Sequence, residues 1–227
     1  MSDFQSTEAF PIFPVLLLID VSASMHGEPI KAVNDTLPSL KQVVKDDPEV
    51  GEIARIGVVT FADKAQTELP LSDIQYAAIP KLDATGPSTD FATGFVKIRH
   101  QIEIDIQALG KGARFHTPVI FFISDGQHNA PGGWASAYAD LTAKTSKFAP
   151  EIVVFGFGDA KAAELKRIAT RFCFMATDTD PAAAVKEILR AIIGSIKENS
   201  RSLRSGGGFA MPVDPNKFVQ LDVRTVE

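Results

Sequence analysis

The chain has 227 residues, 45% of them hydrophobic and 22% charged, which is the composition of a globular protein. Its net charge of −5 argues against non-specific nucleic-acid binding, and its single cysteine, Cys173, excludes an internal disulfide and a multi-cysteine zinc site. The N-terminal sequence lacks the features of a signal peptide, and the longest apolar run, Val15–Ile19, is far too short to span a bilayer. We therefore expect a cytoplasmic protein with neither nucleic acid nor membrane as a partner.

Short apolar strands alternate with helical patterns along the chain. A strand is predicted at Val15–Asp20, and a helix from Pro29 to about Lys45 that Pro38 kinks or restarts. The elements predicted after it are strands at Arg55–Phe61 and Gln66–Leu69, a helix from Thr93 to about Ala108, a strand at Val119–Ser124, a helix with Trp134, Tyr138, Leu141, Thr145 and Phe148 on one face, a strand at Ile152–Gly156, a helix at Ala160–Thr170, a strand at Cys173–Ala176 and a helix at Pro181–Asn199.

This alternation predicts an α/β fold with a doubly wound, mostly parallel six-stranded sheet and helices on both faces. The short polar turn at Asp63–Lys64 predicts a hairpin, which makes Gln66–Leu69 an antiparallel edge strand. We expect an N-terminal extension at 1–13, one domain at 14–200, and a flexible linker and C-terminal tail at 201–227. Alternating residues at 218–223 would allow one more edge strand in the tail.

Three turns rich in carboxylate and hydroxyl oxygens lie where ligands bind in such sheets, beyond the carboxyl ends of the strands. Asp20–Ser24 follows the first strand, Ser124–Gly126 follows the fourth, and Gly86–Asp90 precedes a helix. Each turn taken alone would be read as a helix cap or a plain turn. Together they supply hard oxygen ligands with few nitrogens nearby, which suits Mg²⁺, Mn²⁺ or Ca²⁺ rather than Zn²⁺.

The predicted ligand set is short of negative charge. Ser22 and Ser24 offer neutral hydroxyls, and Asp20 and Asp125 are the carboxylates. A metal held in this way would take a carboxylate from outside the chain as a further ligand. The set therefore predicts a binding device that uses an Asp or Glu of a protein partner, rather than a closed structural site.

These motifs resemble the metal-ion-dependent adhesion site of von Willebrand A (vWA) domains, over a span from about Pro14 to Asn199. The segments LLLIDVSASMHGEPIKAVND and TFADKAQTELPLSDI are similar to those of the bacterial tellurium-resistance TerY-type group, although Ala23 replaces the commoner glycine. The resemblance implies a Rossmann-like vWA fold and selects Thr89 over Ser88 and Thr85 as the hydroxyl ligand of the third turn. The implied metal ligands are thus Asp20, Ser22, Ser24, Thr89 and Asp125.

The same resemblance implies details that spacing alone does not give. Ser22 and Ser24 would bind the metal directly, Thr89 directly or through water, and Asp20 and Asp125 mainly through water. TerY-type proteins are encoded with serine/threonine kinases and metal-dependent protein phosphatases in stress or toxic-oxyanion responses, which implies an adaptor role with such enzymes as partners. The Cys-rich C-terminal extension of some members is absent from this sequence.

Two other functions compete with a non-enzymatic binding module. A hydrolase or phosphatase of doubly wound fold would need a second carboxylate where Ser22 stands, and pairing Ser24 with His26 as nucleophile and base has no geometric basis in the sequence. A structural scaffold with a decayed metal site is disfavoured because the oxygen set is intact. Gly156-Phe-Gly158 is read as a tight turn rather than a dinucleotide fingerprint, because the third glycine is missing.

Overall fold

The computed structural model describes residues 11–110 and 112–223. The strands are β1 (Phe13–Asp20), β2 (Ala54–Phe61), β3 (Ala65–Ser72), β4 (Val119–Ser124), β5 (Glu151–Gly156), β6 (Phe172–Ala176) and β7 (Phe218–Leu221). The α-helices are α1 (Glu28–Thr36), α2 (Ser39–Asp46), α3 (Pro48–Ile53), α4 (Phe91–Ala108), α5 (Ala135–Leu141), α6 (Ala162–Ile168) and α7 (Pro181–Arg204), and Ala23–Met25 forms a 3₁₀ turn.

The strands form one sheet in the order β3-β2-β1-β4-β5-β6-β7. β2, β1, β4, β5 and β6 run parallel to one another, and the two outer strands β3 and β7 are antiparallel to their neighbours. Strand order reverses between β1 and β4, since the chain passes from β1 to β2 on one side and later returns to β4 on the other. The carboxyl ends of β1 and β4 thus frame the crevice where open α/β sheets bind ligands.

Both faces of the sheet are buried, which explains why the central strands are uniformly apolar. In β1, Leu17 and Ile19 belong to the core that packs under α1 and α7, whereas Leu16 and Leu18 belong to the core on the opposite face. Phe122 of β4 lies on that opposite face among the aromatic rings of α4. This double cover holds the ends of β1 and β4 in fixed positions.

The α/β class, the parallel sheet and the antiparallel β3 edge agree with the sequence prediction, but the sheet has seven strands rather than six. The added strand β7 pairs with β6, and Phe218 of β7 is buried. Helix α7 also continues past Asn199 to Arg204, and the Asn199 side chain bonds both polar backbone groups of Ala210, at 2.7 and 2.8 Å. Residues 1–10 of the predicted extension and 224–227 of the predicted tail lie outside the described residues.

The helix predicted over Pro29–Lys45 restarts at Pro38, as predicted, because proline has no backbone N–H. It forms α1 and α2, and a further helix, α3, begins at Pro48. The helix predicted through Phe148 is wrong beyond Leu141. The backbone N–H and the hydroxyl of Thr142 both donate to Tyr138 O, at 2.9 Å each, and this residue ends α5.

Cys173 lies in β6 with none of its surface exposed, and burial raises the pKa of its thiol to about 12. The thiolate is the reactive form, so we expect the folded protein to react negligibly with Ellman's reagent at pH 8 and the urea-unfolded protein to react with one equivalent. Absorbance of the released thionitrobenzoate measures both. Rapid labelling of the folded protein would contradict the packing of β6 between β5 and β7.

No helix among the described residues is long and apolar enough to cross a membrane.

Candidate metal centre

Asp20 is the last residue of β1 and is fully buried. One carboxylate oxygen accepts the backbone N–H of Ser22 at 2.9 Å, and the other accepts the hydroxyl of Ser124 at 2.7 Å. Ser124 ends the neighbouring strand β4. These bonds fix the Asp20 side chain at the crevice between the two strands.

Ser22 and Ser24 turn toward the same side as the chain leaves β1. Ser22 precedes the 3₁₀ turn at Ala23–Met25, and its hydroxyl oxygen lies 3.2 Å from that of Ser24. The Ser24 hydroxyl donates to Asp125 Oδ1 at 2.8 Å, across to the segment that follows β4. Because that single O–H is given to Asp125, Ser24 is not poised to pass a proton to His26, and the nucleophile–base pair of the hydrolase alternative is not formed.

Thr89 enters the site from the loop before α4. Its backbone and Asn129 exchange two hydrogen bonds: Thr89 N–H donates to Asn129 Oδ1 at 2.8 Å, and Asn129 N–H donates to Thr89 O at 3.0 Å. Thr89 is 3% exposed, and its hydroxyl oxygen lies 3.5 Å from where a methyl group on Gly126 would project. The structure thus brings all five predicted residues to one rim of the sheet, although their binding of a metal stays a prediction.

The two carboxyl groups of the site are buried, and among the described residues no cationic side chain accompanies them. Burial raises the pKa of Asp20 to about 6; the hydroxyls of Ser124 and Ser22 and a backbone N–H oppose the rise, and the charge of Asp125 adds to it. Burial likewise raises the pKa of Asp125, with a smaller contribution from Asp159. No cationic side chain within residues 11–110 and 112–223 offsets the burial of either group, so the ionised pair carries a desolvation cost that a bound cation would relieve.

The sequence of the chain confirms its family. The profile of the von Willebrand factor type A domain matches residues 15–191. The chain belongs to the von Willebrand factor A domain family. No curated protein matches the chain.

Solved structures share this vWA fold at low sequence identity. Proximal thread matrix protein 1 of the mussel byssus, in a structure described as having a zinc-occupied MIDAS motif, has a TM-score of 0.59 at 20% identity over 83% of this chain and 48% of its own. The ArnB paralog VWA2 of Sulfolobus acidocaldarius has 0.53 at 14% identity over 81% and 46%. The pilus adhesin SpaC of Lactobacillus rhamnosus GG has 0.59 at 12% identity over 85% and 30%. This chain thus spans less than half of each of the three.

The oxygen set of this vWA domain fits a hard divalent cation. Two carboxylates and three hydroxyls are present and no sulfur or imidazole donor, which is the donor chemistry that Mg²⁺, Mn²⁺ and Ca²⁺ prefer. Among the described residues no group of three or more His, Cys, Asp or Glu side chains could hold a metal. The hydroxyls are therefore indispensable to any metal site at this rim.

Several supporting residues of the vWA site were not identified from sequence. Ser124 receives the Gly126 N–H at 3.2 Å while it donates to Asp20. His128 is largely enclosed: its Nδ1 accepts the Phe91 N–H at 3.2 Å and its Nε2 lies 3.0 Å from Gly132 O. Glu164 accepts the backbone N–H of His128 and the indole N–H of Trp134, both at 3.1 Å.

Gly86 sets the position of the Thr89 loop against Ser22, with which it forms a parallel bridge. A methyl group on Gly86 would lie 2.0 Å from Ala62 Cβ, so Gly86→Ala must displace this loop. We expect the substitution to weaken Mn²⁺ binding by roughly tenfold, as changes behind metal ligands do, measured by isothermal titration calorimetry. Gly133→Ala is the matched control, because Gly133 has open space around it. Equal affinities of the two variants would contradict the assigned role of the Thr89 loop.

Proposed function

We propose that this vWA domain is a metal-ion-dependent protein-binding module and not an enzyme. The observation that carries the proposal is the convergence of Asp20, Ser22, Ser24, Thr89 and Asp125 on one rim of the sheet, where both carboxylates are buried and no cationic side chain of the described residues lies beside them. Binding a cation at this rim would offset the cost of burying the two carboxylates, which favours a cation-binding role.

The five residues would hold Mg²⁺, with Mn²⁺ and Ca²⁺ as alternatives. Zinc is described at the MIDAS motif of the mussel protein. In the present chain the predicted set has no nitrogen or sulfur donor, which favours the harder ions. Two carboxylates among five ligands leave Mg²⁺ with a preference for one more anionic oxygen. When bound, the metal supplies a point of attachment for an Asp or Glu side chain of a partner.

The proposed partners follow from the similarity to the TerY-type group. The segment around Asp20–Ser24 is the main support for a bacterial, cytoplasmic adaptor in a tellurium-resistance-type stress system, with a serine/threonine kinase or a metal-dependent protein phosphatase as the bound enzyme. The chemistry of the site adds one condition to this proposal. The bound enzyme must present an accessible carboxylate at the centre of its contact surface.

Metal dependence of the contact tests the proposed function. With the chain immobilised in a lysate of its source cells, we expect a partner that is retained in Mg²⁺ and released by EDTA, with identification by mass spectrometry. The Thr89→Ala variant should lose more affinity for that partner than for the metal, because Thr89 is the ligand expected to change between direct and water-mediated contact. A partner retained equally in Mg²⁺ and EDTA would place the interface away from the metal.

A further inference from the structure

An open apolar groove lies beside the metal centre, between the turn that follows β2 and the outer face of α4. It has a volume of about 520 Å³ and is lined almost entirely by carbon atoms. Ala65 forms one wall, and Ala92 and Val96 form the other. Val96 is 59% exposed, which is a high value for an aliphatic side chain. We call this feature the α4 groove.

The α4 groove lies close in the chain to Thr89 of the predicted metal site, although none of the five predicted metal residues lines it. Thr89 directly precedes Asp90, whose side chain caps the start of α4 and whose backbone N–H donates to Ala62 O at 2.9 Å. This bond ties the start of α4 to the turn that forms the other wall. Thr89 lies two residues before the start of α4 and Val96 is the sixth residue of the helix, so their separation is on the order of 10 Å. A partner segment of a few residues that reaches the metal is therefore long enough to reach the groove.

Basic side chains surround the groove although the protein as a whole is acidic. Lys64, Lys97 and His100 line it, against the single carboxylate of Asp63. Neither lysine forms an ion pair within the part of the chain that the structure describes, so both can meet charges of a partner. The groove thus combines an apolar floor with a cationic rim, which complements a segment that carries acidic residues around an apolar side chain.

We infer that the α4 groove receives an apolar side chain from the same protein segment that supplies a carboxylate to the metal. The inference rests on the proposed function and adds a second recognition element to it. An extended chain covers roughly 10 Å in about three residues. The recognised segment therefore carries an Asp or Glu and, about three residues away, a large apolar residue, with further acidic residues facing Lys64 and Lys97.

A library of random peptides displayed on phage tests this inference without knowledge of the partner. Phage are selected on the intact chain in Mg²⁺ and eluted with EDTA, and the eluted sequences are expected to share an acidic residue and a large apolar residue at constant spacing. A synthetic peptide of the selected sequence is then titrated by fluorescence polarisation. Replacing its apolar residue by Ser should weaken binding by about tenfold or more, as loss of a side chain from an apolar pocket does.

Two matched substitutions on α4 separate the groove from the rest of the helix. Val96→Asp places a charge in the groove and should weaken binding of the peptide by about tenfold or more while leaving Mn²⁺ affinity unchanged. Ile104→Asp is the control, because Ile104 is 46% exposed on the same helix and does not line the groove. Its peptide affinity should stay within about twofold of wild type.

The possible failures are distinguishable. If EDTA elutes no sequences, or the peptides bind equally well in EDTA, the proposed function fails and the inference fails with it. If the eluted sequences share only the acidic residue and bind Val96→Asp as tightly as wild type, the groove is not a recognition element, although metal-dependent binding stands. The molar mass of both proteins is measured by size-exclusion chromatography with light scattering. If Val96→Asp forms a smaller oligomer than the wild type, the groove is the contact with a second copy of this chain, and the inference is overturned.

Discussion

Asp20→Ala is expected to abolish divalent-metal binding, with at least a hundredfold loss of Mn²⁺ affinity. Asp20 is one of only two carboxylates in the site, and its two oxygens accept hydrogen bonds from Ser22 and from Ser124. Its loss therefore removes half of the negative charge of the predicted ligand set and the side-chain hydrogen bond that joins the end of β1 to Ser124 of β4. Isothermal titration calorimetry with Mn²⁺ measures the effect.

Asp83→Ala is the control for this substitution, since Asp83 is an exposed aspartate near the same rim and lies outside the predicted set. It should bind Mn²⁺ nearly as tightly as wild type. Far-ultraviolet circular dichroism of Asp20→Ala, and of the wild type in EDTA, should match that of the untreated protein, because the apolar cores on both faces of the sheet do not depend on a metal. Wild-type affinity in Asp20→Ala would refute the site assignment.

The metal-free protein is expected to lose stability as pH rises from 5 to 7.5, in the opposite sense to a salt-bridged carboxylate. The pKa of Asp20 is about 6 in the folded chain against 3.8 for the group in its usual state. The stabilisation of the folded state by protonated Asp20 is thus fully present below pH 3.8, and it is lost as the pH rises through about 6. The raised pKa corresponds to a contribution on the order of 3 kcal/mol, of which about half remains at pH 5.

Asp20→Asn isolates this contribution because the amide stays neutral at every pH. In urea titrations with EDTA present, the variant should be more stable than wild type at pH 7.5 by on the order of 1–3 kcal/mol, and the difference should shrink toward pH 5. Adding Mg²⁺ at pH 7.5 should stabilise the wild type and not the variant. A constant difference across this pH range would show that Asp20 is not the group that titrates.

The sequence predicted the positions of the oxygen-rich turns after β1 and β4 because these turns follow directly from the strand ends. Apolar runs bounded by polar turns located β1 and β4, and parallel pairing brings their carboxyl ends together, so the sequence alone was enough to place Asp20 and Asp125 on one rim. The position of Thr89 could not be derived from the strand ends in the same way. Its position depends on a bond to Asn129, forty residues later, which leaves no local pattern.

What the sequence did not predict depends on long-range packing. Strand β7 has four residues, and only Phe218 among them is fully buried, so its alternation alone was too weak to assign it to the sheet. Pairing with β6 decides its structure. The role of Glu164 was likewise hidden, since a glutamate in the first turn of a short helix has an ordinary sequence context and its two acceptor bonds reach back at least thirty positions.

The bonds of Glu164 bear on the affinity of any complex that this domain forms. Its carboxylate holds His128 and Trp134 from α6, and the guanidinium of Arg167 lies 4.7 Å from the Trp134 ring centre, so the loop after Asp125 is already ordered in the free protein. A partner that docks there does not have to order a mobile loop. Binding therefore does not incur the conformational-entropy cost of that ordering. The domain is in this sense preorganised, with its rigidity supplied by residues outside the predicted metal-ligand set.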